Sequence, residues 1–410
     1  MPYFLTILFL VVLNIADART IIVGKDQVVT SLRKAVDVAQ AKDTILLRNG
    51  IYKEGNIIIT KSITLIGVDK PVLDGENKHE ILTVSGSNII IKGILFRNSG
   101  YSSMNDYAAI GLIDARNVTI ENNFVEHAYF AIHVANAQQC TISNNVIRGT
   151  PKTEQTSGNA IHLWKCDNMV VKDNSVTGHR DGIYFEFVTN SYISGNTSFN
   201  NIRYGLHFMF SNNDTYAENI FKDNGAGVAV MYSNHVHMIA NTFEHNWGAS
   251  AYGLLLKEIS DAVIQKNKFT QNTVGILMES TNRIETDQNQ FSNNGWALRI
   301  QASCDQNIIH HNNFQGNTFD VATNGTMMLN KFYNNYWDRY EGYDLNKDRV
   351  GDVPFHPVSM YSMVIEQNSN ALLLLRSFIV SILDKAEKAI PSLTPEQLVD
   401  EKPLMKPLSL

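Results

Sequence analysis

Asparagines recur at a nearly constant spacing through the middle of the chain, and this recurrence constrains the fold more than any other feature. Most intervals resemble the 22 residues from Asn123 to Asn145, and the longest, from Asn145 to Asn174, is 29 residues. A unit of about 22 residues has no room for a helix, but three short strands and three turns fit. The recurring asparagines are Asn123, Asn145, Asn174, Asn196, Asn219, Asn241, Asn267, Asn289, Asn312 and Asn334.

A unit this short cannot bury a core alone, so successive units must stack and cover one another's apolar faces. Gly, Asn and Asp supply the turns, because they tolerate positive φ or hydrogen-bond the adjacent backbone. The leucine-rich and paired-helix patterns of other repeat families are absent. The sequence therefore predicts an all-β chain whose residues 19–340 form a right-handed parallel β-helix with coils of about 22 residues.

The N-terminal end predicts export and a capped solenoid. Residues 1–13 are almost wholly apolar, and Ala16-Asp17-Ala18 fits a cleavage site, so residues 1–18 are predicted to be a signal peptide for the periplasm. Ser31–Ala39 has its apolar residues on one face, which predicts a short helix that covers the first coil.

The C-terminal region departs from the repeat. Residues 341–361 form an Asp-rich loop that we expect to cap the solenoid, and residues 362–410 form a helical tail. Its apolar run, Ala371–Leu383, is shorter than the about 20 residues that span a bilayer. Two alternatives stay open for this run: an amphipathic helix that docks on a partner or a membrane surface, or a helix folded back on the last coil.

Charge and cysteine content exclude some functions. The net charge of −6 argues against nucleic-acid binding, which normally needs a basic surface. The three cysteines form no C-x-x-C pair, so neither a disulfide framework nor a thiolate zinc site is indicated.

Outward positions can be counted from the repeat. A small residue opens a short strand about eight residues after most asparagines, and side chains two and four residues later point outward. The first outward column is His133, His162, Tyr184, His207, Ala229, Leu255, Leu277 and Arg299. The second outward column is Ala135, Trp164, Glu186, Met209, Met231, Lys257, Glu279 and Gln301.

These columns predict two candidate copper-binding sites, which are called stations here. Coils stack about 4.8 Å apart and alternate strand residues lie about 6.6 Å apart, so neighbouring columns can share a ligand. Thioethers and imidazole together suit Cu(I) better than zinc, calcium or magnesium. The first station comprises Glu186, His207, Met209 and Met231, and the second comprises His162 and His133. The alternative is an ordinary surface or one covered by a loop.

The surroundings of these columns suggest a cleft. Two longer intervals, from Asn145 to Ala160 and from Asn241 to Gly253, predict loops that flank it like walls. His179-Arg180-Asp181 precedes one of the strands between these loops, and it could clamp an anion or form a structural Arg–Asp pair. The pairs His235/His237 and His310/His311 are interpreted as surface residues.

An acidic segment near the end of the repeat resembles a calcium-binding loop. Asp344, Asn346, Asp348 and Asp352 place oxygen ligands at positions 1, 3, 5 and 9. Arg349 replaces the usual turn glycine, and Phe355 stands where a bidentate Glu is expected. A calcium site and a metal-free turn rich in Asx residues are both open.

Three segments resemble the NosD family, the periplasmic accessory proteins of nitrous oxide reductase maturation. They span residues 179–187, 203–209 and 334–358, the last beginning Asn-Asn-Tyr-Trp-Asp. The resemblance implies a non-enzymatic protein that works with an ABC-type ATPase and permease pair (NosF/NosY-like) and a copper chaperone to assemble the copper centres of the reductase. It also implies that the C-terminal tail docks on the permease and so associates the protein with the membrane.

Two rival functions remain. Parallel β-helices commonly bind extended glycans, so a secreted polysaccharide lyase, epimerase or hydrolase is the main alternative, with Glu186 and Asp181 as candidate acid and base. Against it, the outward columns offer no other paired carboxylates. The third possibility is a purely structural periplasmic scaffold.

Overall fold

The computed structural model describes residues 18–102, 106–151, 153–325, 329–375, 377–389 and 398–410. Residues 1–17 of the predicted signal peptide lie outside the described residues. Three parallel sheets build the fold, and every strand except the first and last of each sheet pairs with the strands one coil earlier and one coil later. The predicted parallel β-helix is therefore confirmed.

The sheets are numbered here in the order in which each coil visits them. Sheet 1 has 14 strands: Thr20–Val23, Thr44–Leu47, Thr64–Gly67, Ser87–Lys92, Arg116–Glu121, Thr141–Ser143, Val170–Lys172, Tyr192–Ser194, Thr215–Ala217, His237–Ile239, Val263–Gln265, Glu285–Asp287, Ile308–His310 and Lys331–Tyr333. Sheet 2 has 13 strands: Ile51–Tyr52, Val72–Asp74, Leu95–Arg97, Phe124–Glu126, Val146–Arg148, Ser175–Thr177, Thr197–Phe199, Ile220–Lys222, Thr242–Glu244, Lys268–Thr270, Gln290–Ser292, Asn313–Gln315 and Tyr336–Trp337. Sheet 3 has 12 strands: Ile57–Ile59, Leu82–Val84, Ala108–Ile113, Phe130–Ala135, Ile161–Trp164, Asp181–Glu186, Tyr204–Met209, Ala226–Met231, Leu254–Lys257, Val274–Glu279, Trp296–Ile300 and Phe319–Thr323.

Helices are confined to the ends and to one loop. The α-helices are Leu32–Val38, Met360–Gln367 and Phe378–Ala389, and the 3₁₀ helices are Glu154–Thr156 and Ser369–Leu374. No helix in the described part of the chain is long and apolar enough to cross a membrane.

The recurring asparagines form a buried hydrogen-bonded ladder. The Asn241 side chain is fully buried, and its Nδ2 donates to the Tyr216 carbonyl at 2.9 Å and to Asn267 Oδ1 at 3.0 Å. Its Oδ1 accepts from the backbone N–H of Asn219 at 3.0 Å. The Asn241 side chain therefore satisfies polar groups of the coil before it and of the coil after it, which ties the register of one coil to the next.

The last step of the ladder differs from the prediction. Asn335 is the buried member, and its Oδ1 accepts from the Asn312 backbone N–H at 3.0 Å. Asn334 instead occupies the turn before it, with φ of 55°. A second ladder, which the sequence analysis did not identify, follows the turn into sheet 3 and comprises Asn201, Asn224, Asn246, Asn272, Asn294 and Asn317.

Stacked aromatic rings fill the core beneath sheet 2. The rings of Phe243, Phe269, Phe291 and Phe314 follow one another at centroid distances of 4.6, 4.9 and 4.8 Å, and Trp337 ends the stack 4.1 Å from Phe314. All three cysteines are buried and unpaired, as expected for inert thiols. Burial raises the pKa of the Cys166 thiol to about 12.

The predicted N-terminal cap is confirmed as helix Leu32–Val38. The Ser31 hydroxyl accepts from the Lys34 backbone N–H, and Leu32 and Ala35 are buried against the first coil. Glu54 accepts from the backbone N–H of Leu32 at 2.8 Å, which satisfies another free group at the helix start.

The C-terminal region has two parts rather than one helical tail. The described helices of this region lie within residues 360–389, whereas residues 398–410 contain no helix and pair with the last coil through bridges from Asp400 to Phe332 and from Leu404 to Tyr336. Asp400 Oδ2 accepts from the backbone N–H of Asn335 at 3.0 Å and from Trp337 Nε1 at 3.0 Å. A carboxylate thus takes the place of the next asparagine and ends the ladder.

Replacement of one ladder residue should destabilise the whole solenoid. Asn241→Ala removes buried hydrogen bonds and leaves the partner groups unsatisfied, so we expect a loss of about 2–4 kcal/mol in the free energy of unfolding. Urea denaturation followed by circular dichroism measures it. Asn200→Gly is the control, because Asn200 is exposed and its φ of 52° suits glycine. Equal stability of Asn241→Ala and the control would contradict the role of the ladder.

Candidate metal site

Sheet 3 carries its outward side chains in the predicted register. Strand pairing aligns His133 with His162, His162 with Tyr184, and Tyr184 with His207. The successive ring centroids lie 4.9, 4.7 and 5.0 Å apart. Three imidazoles and one phenol therefore form a continuous row of rings across four coils.

His207 points outward as predicted, but it is only 3% exposed. The Tyr184 ring lies 5.0 Å away on one side, and the Tyr204 ring lies 4.8 Å away on the other. Its Nδ1 lies 3.8 Å from Asp181 Oδ2, and neither ring nitrogen makes a hydrogen bond to the described residues. The imidazole is thus held in place by rings, with both of its nitrogens available to a ligand.

Buried polar side-chain atoms without a hydrogen bond occur on this coil and on the two coils before it. Among the described residues they include Asn159 Oδ1, His179 Nε2, Arg180 Nε, Asp181 Oδ2 and both nitrogens of His207. Arg180 Nε lies 3.6 Å from Asp181 Oδ2, so the predicted Arg–Asp pair exists. A buried polar atom without a partner costs about 1–3 kcal/mol, so this cluster indicates a place for ordered water or a ligand.

The second column places two thioethers beside a carboxylate. Glu186 is aligned with Met209, and Met209 with Met231. All three side chains are half-buried, and Tyr184 Oη donates to Glu186 Oε2 at 3.5 Å. Met231 also contacts a small apolar cluster on the outer face that includes Tyr252. The two thioethers are therefore partly accessible, and neighbouring coils align them.

The second predicted station brings two imidazoles side by side. Burial lowers the pKa of His162 to about 3, with smaller contributions from His133 and Arg180. Burial also lowers the pKa of His133, and Asp106 offsets part of this effect. Both rings are consequently neutral at pH 7, which is the form that binds metals. Tyr184 separates them from His207, so the two stations are distinct.

The residues at both stations fit copper in its reduced state. Thioether sulfur is a soft ligand that selects Cu(I), and imidazole supports the same ion. The first station would hold it through Met209, Met231 and His207, with Glu186 supplying charge. The second station offers His133 and His162 alone.

Loops border these stations on both sides, as the two long intervals predict. The loop within residues 145–160 contains the helix Glu154–Thr156 and lines a cleft of about 360 Å³ together with Tyr129 and His179. From the loop within residues 241–253, Tyr252 packs over Ala229 and Leu255.

The acidic segment forms a hydrogen-bonded turn. Asp344 accepts from the backbone N–H groups of Asp348 and Arg349, and Asp352 accepts from that of Leu345. Asn346 Oδ1 accepts from the Asp348 backbone N–H as well. Arg349 has φ of 74°, so it occupies the turn conformation that glycine usually supplies. These bonds explain the turn without a metal, and calcium binding here stays a prediction.

One cluster of metal-type ligands was not predicted. His310 is 9% exposed, so its interpretation as a surface residue was wrong, and it lies beside His311 and Asp287. In the described ranges this is the one group whose His, Cys, Asp or Glu ligand atoms converge in threes. Alignment of the repeats could have found this cluster, because Asp287 lies one repeat before the two histidines.

The fold and the outward columns define a class: parallel β-helix proteins whose outer face carries His, Met and carboxylate side chains. The family model described as "NosD: Periplasmic copper-binding protein (NosD)" matches residues 143–347, which is half of the chain. This chain belongs to the NosD family of periplasmic copper-binding proteins.

Relatives with curated descriptions share most of the chain. A protein described as "Probable ABC transporter binding protein NosD" from Pseudomonas aeruginosa is 27% identical over 383 residues, covering 86% of each chain. A protein with the same description from Stutzerimonas stutzeri is 26% identical over 375 residues, covering 86% of this chain and 85% of its own.

Solved structures share the fold alone. PfbA, a surface adhesin of Streptococcus pneumoniae, superposes with a TM-score of 0.53 at 13% identity, covering 74% of this chain and 86% of its own. The catalytic unit of an α-1,3-glucanase from Streptomyces thermodiastaticus gives a TM-score of 0.55 at 13% identity, covering 75% of this chain and 62% of its own. An adhesin and an enzyme therefore use similar solenoids.

The half-buried His162, whose pKa is lowered by burial, should make the stability of the protein depend on pH. Unfolding returns its pKa from about 3 to the ordinary 6.5, so its contribution is complete above pH 6.5 and is lost as the pH falls towards 3. At pH 4 we expect this residue to cost roughly 2–3 kcal/mol of the free energy of unfolding. Urea denaturation at pH 7 and pH 4 measures it.

The matched variant for this measurement is His162→Tyr, which repeats the residue of the next coil and keeps the row of rings. It should lose less stability than the wild type between pH 7 and pH 4. His235→Gln, at an exposed position, should behave as the wild type does. The same loss in all three proteins would show that His162 is not the source.

Proposed function

We propose that this protein handles Cu(I) or a copper–sulfur precursor for the maturation of the copper centres of nitrous oxide reductase. It would receive copper from a chaperone and work with an ABC-type ATPase and permease pair. The observation that carries the proposal is the alignment of Met209 and Met231 beside Glu186 and His207 on one outer face. Membership of a copper-binding family and the names of the two relatives support it.

The site favours binding and transfer of a soft ion over chemistry on a substrate. Thioethers, and the His133 and His162 imidazoles whose pKa burial lowers, can bind Cu(I) without proton release at pH 7. Partial burial shields the ion, while half-exposed methionines leave it accessible to another protein. We therefore propose that the protein is not an enzyme.

The spacing of carboxylates argues against a polysaccharide hydrolase. Glu186 and Glu279 share the second column but lie four coils apart, which is roughly 19 Å at about 4.8 Å per coil. Glycosidases place their two carboxyl groups at most about 9.5 Å apart. Asp181, the other candidate partner, is fully buried.

The helices within residues 360–389, called the helical segment here, offer a surface for the proposed membrane partner. One side of it packs on the end of sheet 3 through Tyr361 and Ile365, and Arg299 forms a two-point ion pair with Glu366 at 2.7 and 2.8 Å. The other side presents Leu373, which is 88% exposed, and Phe378, which is 79% exposed. Exposed apolar side chains of this kind, on the two helices that follow the fixed helix Met360–Gln367, suit the docking of a permease.

Copper binding can be tested by anaerobic titration of Cu(I) against a chromophoric competitor. The wild type should bind Cu(I) at low stoichiometry, and Met209→Leu or His207→Ala should weaken binding by at least tenfold, because each removes one ligand. Glu186→Gln should have a smaller effect, since it removes charge but no soft donor.

Met405→Leu is the matched control, because Met405 is a half-buried methionine on the C-terminal cap. It should bind Cu(I) as the wild type does. Unchanged affinity in both Met209→Leu and His207→Ala would remove the first station from the proposal. Release of unsaturated or reducing sugars from anionic polysaccharides would instead support the alternative that the protein is an enzyme acting on polysaccharides.

Docking can be tested without disturbing the cap. Truncation of the whole tail would also remove Asp400, so the better variant combines Leu373→Ser, Phe378→Ser and Ile379→Ser, all at exposed positions. We expect this variant to lose co-purification with the ABC-type permease while its urea denaturation stays like that of the wild type.

The control replaces two exposed isoleucines near the opposite end, Ile51→Ser and Ile58→Ser. It should co-purify with the permease as the wild type does. Co-purification of the triple variant at the wild-type level would refute docking through this patch.

A further inference from the structure

Three metal-type ligands meet at an outer corner of sheet 1, on a different sheet from the copper stations. Strand pairing aligns Asp287 with His310, and His311 follows in the turn. The two Nδ1 atoms lie 2.7 Å apart. Asp287 Oδ1 lies 3.3 Å from Nδ1 of His310 and 3.6 Å from Nδ1 of His311.

These separations match those of ligands around one ion. Metal–nitrogen and metal–oxygen bonds of about 2.0–2.2 Å place neighbouring ligand atoms about 3–3.6 Å apart in tetrahedral or right-angled geometry. Two of the three separations fall in that range, and the third requires only a small opening between the two rings. No rearrangement of the backbone is needed to bring the three atoms around a cation.

Hydrogen bonds within the described residues leave part of this cluster unsatisfied. His310 Nε2 lies 3.1 Å from Glu285 Oε1, so Nε2 can donate to this carboxylate while Nδ1 faces the other two ligands. Asp287 Oδ1 is buried and receives no hydrogen bond from the described residues. A cation bound between the three atoms would contact all of them at once.

Neighbouring residues orient the ligands as outer-shell residues do in metal sites. Glu285 supports the His310 ring, whose face stacks on Tyr333 at 4.9 Å and 8°. Gln265 Nε2 donates to the other carboxylate oxygen of Asp287 at 2.8 Å, which turns Oδ1 towards the imidazoles. Such a carboxylate–histidine arrangement raises ligand basicity and fixes the ring tautomer.

We propose that Asp287, His310 and His311 form a binding site for one divalent first-row transition ion, of the zinc or copper(II) type. Two imidazoles and a carboxylate are the ligand set for such ions, and the cluster contains no thioether that would select Cu(I). The His311 side chain is 40% exposed, against 9% for Asp287, so the ion enters from the solvent side and keeps open positions there.

Titration of the untagged full chain with Zn²⁺ tests the site, because Zn²⁺ binds imidazole and carboxylate well and thioether poorly. The wild type should bind one Zn²⁺. Asp287→Asn, His310→Gln and His311→Asn should each weaken binding at least tenfold, and Glu285→Gln, in the outer shell, by about tenfold. Asparagine is chosen for His311, whose φ is 51°, because Asn334 holds the equivalent turn position at 55°.

The controls separate this site from other histidines and from the copper stations. The double variant His235→Gln with His237→Gln removes an exposed pair from the same sheet, and Met209→Leu removes a thioether; both should keep the wild-type Zn²⁺ affinity. Circular dichroism checks that each variant is folded. If Asp287→Asn or His310→Gln does not fold, the single variants His311→Asn and Glu285→Gln decide the test. X-ray absorption at the zinc edge should show two imidazoles. Unchanged affinity in His311→Asn and Glu285→Gln, or an equal loss in the His235/His237 control, overturns the proposal.

Discussion

The hydrogen bond from one buried asparagine to the next is the constraint on which the rest of this structure depends. Ladder residues bond to the coils on both sides: Asn241 accepts from Asn219 and donates to Tyr216 in the preceding coil, and it donates to Asn267 in the following coil. Since these groups are buried, a shift of one residue would leave several of them unsatisfied. It would also turn every outward side chain of the shifted strand inward. The outer columns are therefore as fixed as the core.

Spacing predicted the coils and the outward columns, because both depend only on local periodicity. The prediction failed where long-range contacts decide. Asn334 and Asn335 fit the spacing equally well, and only the position of Asp400, 65 residues beyond Asn335, shows which one is buried. Likewise, no local signal shows that residues 398–410 leave the helical tail and return to the last coil.

The sequence predicted which residues share the outer face of sheet 3, but it did not predict how deeply their side chains are buried. Counting placed His207 on the outer face, whereas its low exposure results from Tyr204 and Tyr184, whose rings come from its own and the preceding coil. The cluster of Asp287, His310 and His311 was missed for a related reason. Two adjacent histidines look like surface residues until the preceding coil is placed above them and supplies a carboxylate. Ligand sets in a solenoid are thus shared between coils and become visible only when the repeat is aligned.

The proposed ligand sets on sheet 3 and sheet 1 differ in softness and in position, and we expect them to bind different metal ions. Thioethers with imidazole on sheet 3 favour Cu(I), whereas imidazoles with a carboxylate on sheet 1 favour a divalent ion. The sheet 1 ligands are supported by outer-shell hydrogen bonds from Gln265 and to Glu285. The sheet 3 methionines have no such support among the described residues. A ligand set with outer-shell support retains its ion better than half-buried thioethers without it, which agrees with our proposal that the ion to be transferred binds on sheet 3.

The position of the helical segment limits how a partner that receives the proposed cargo could bind. Glu366 holds the segment to Arg299, which lies in the same outward column as His207 but four coils further along. At about 4.8 Å per coil, Arg299, where the helical segment is attached, and His207 of the proposed copper station are on the order of 20 Å apart on one face of a rigid solenoid. Because the buried ladder prevents the coils from sliding, the protein cannot shorten this distance itself. A permease docked on Leu373 and Phe378 therefore has to extend along sheet 3, or a second protein has to carry the ion across that gap.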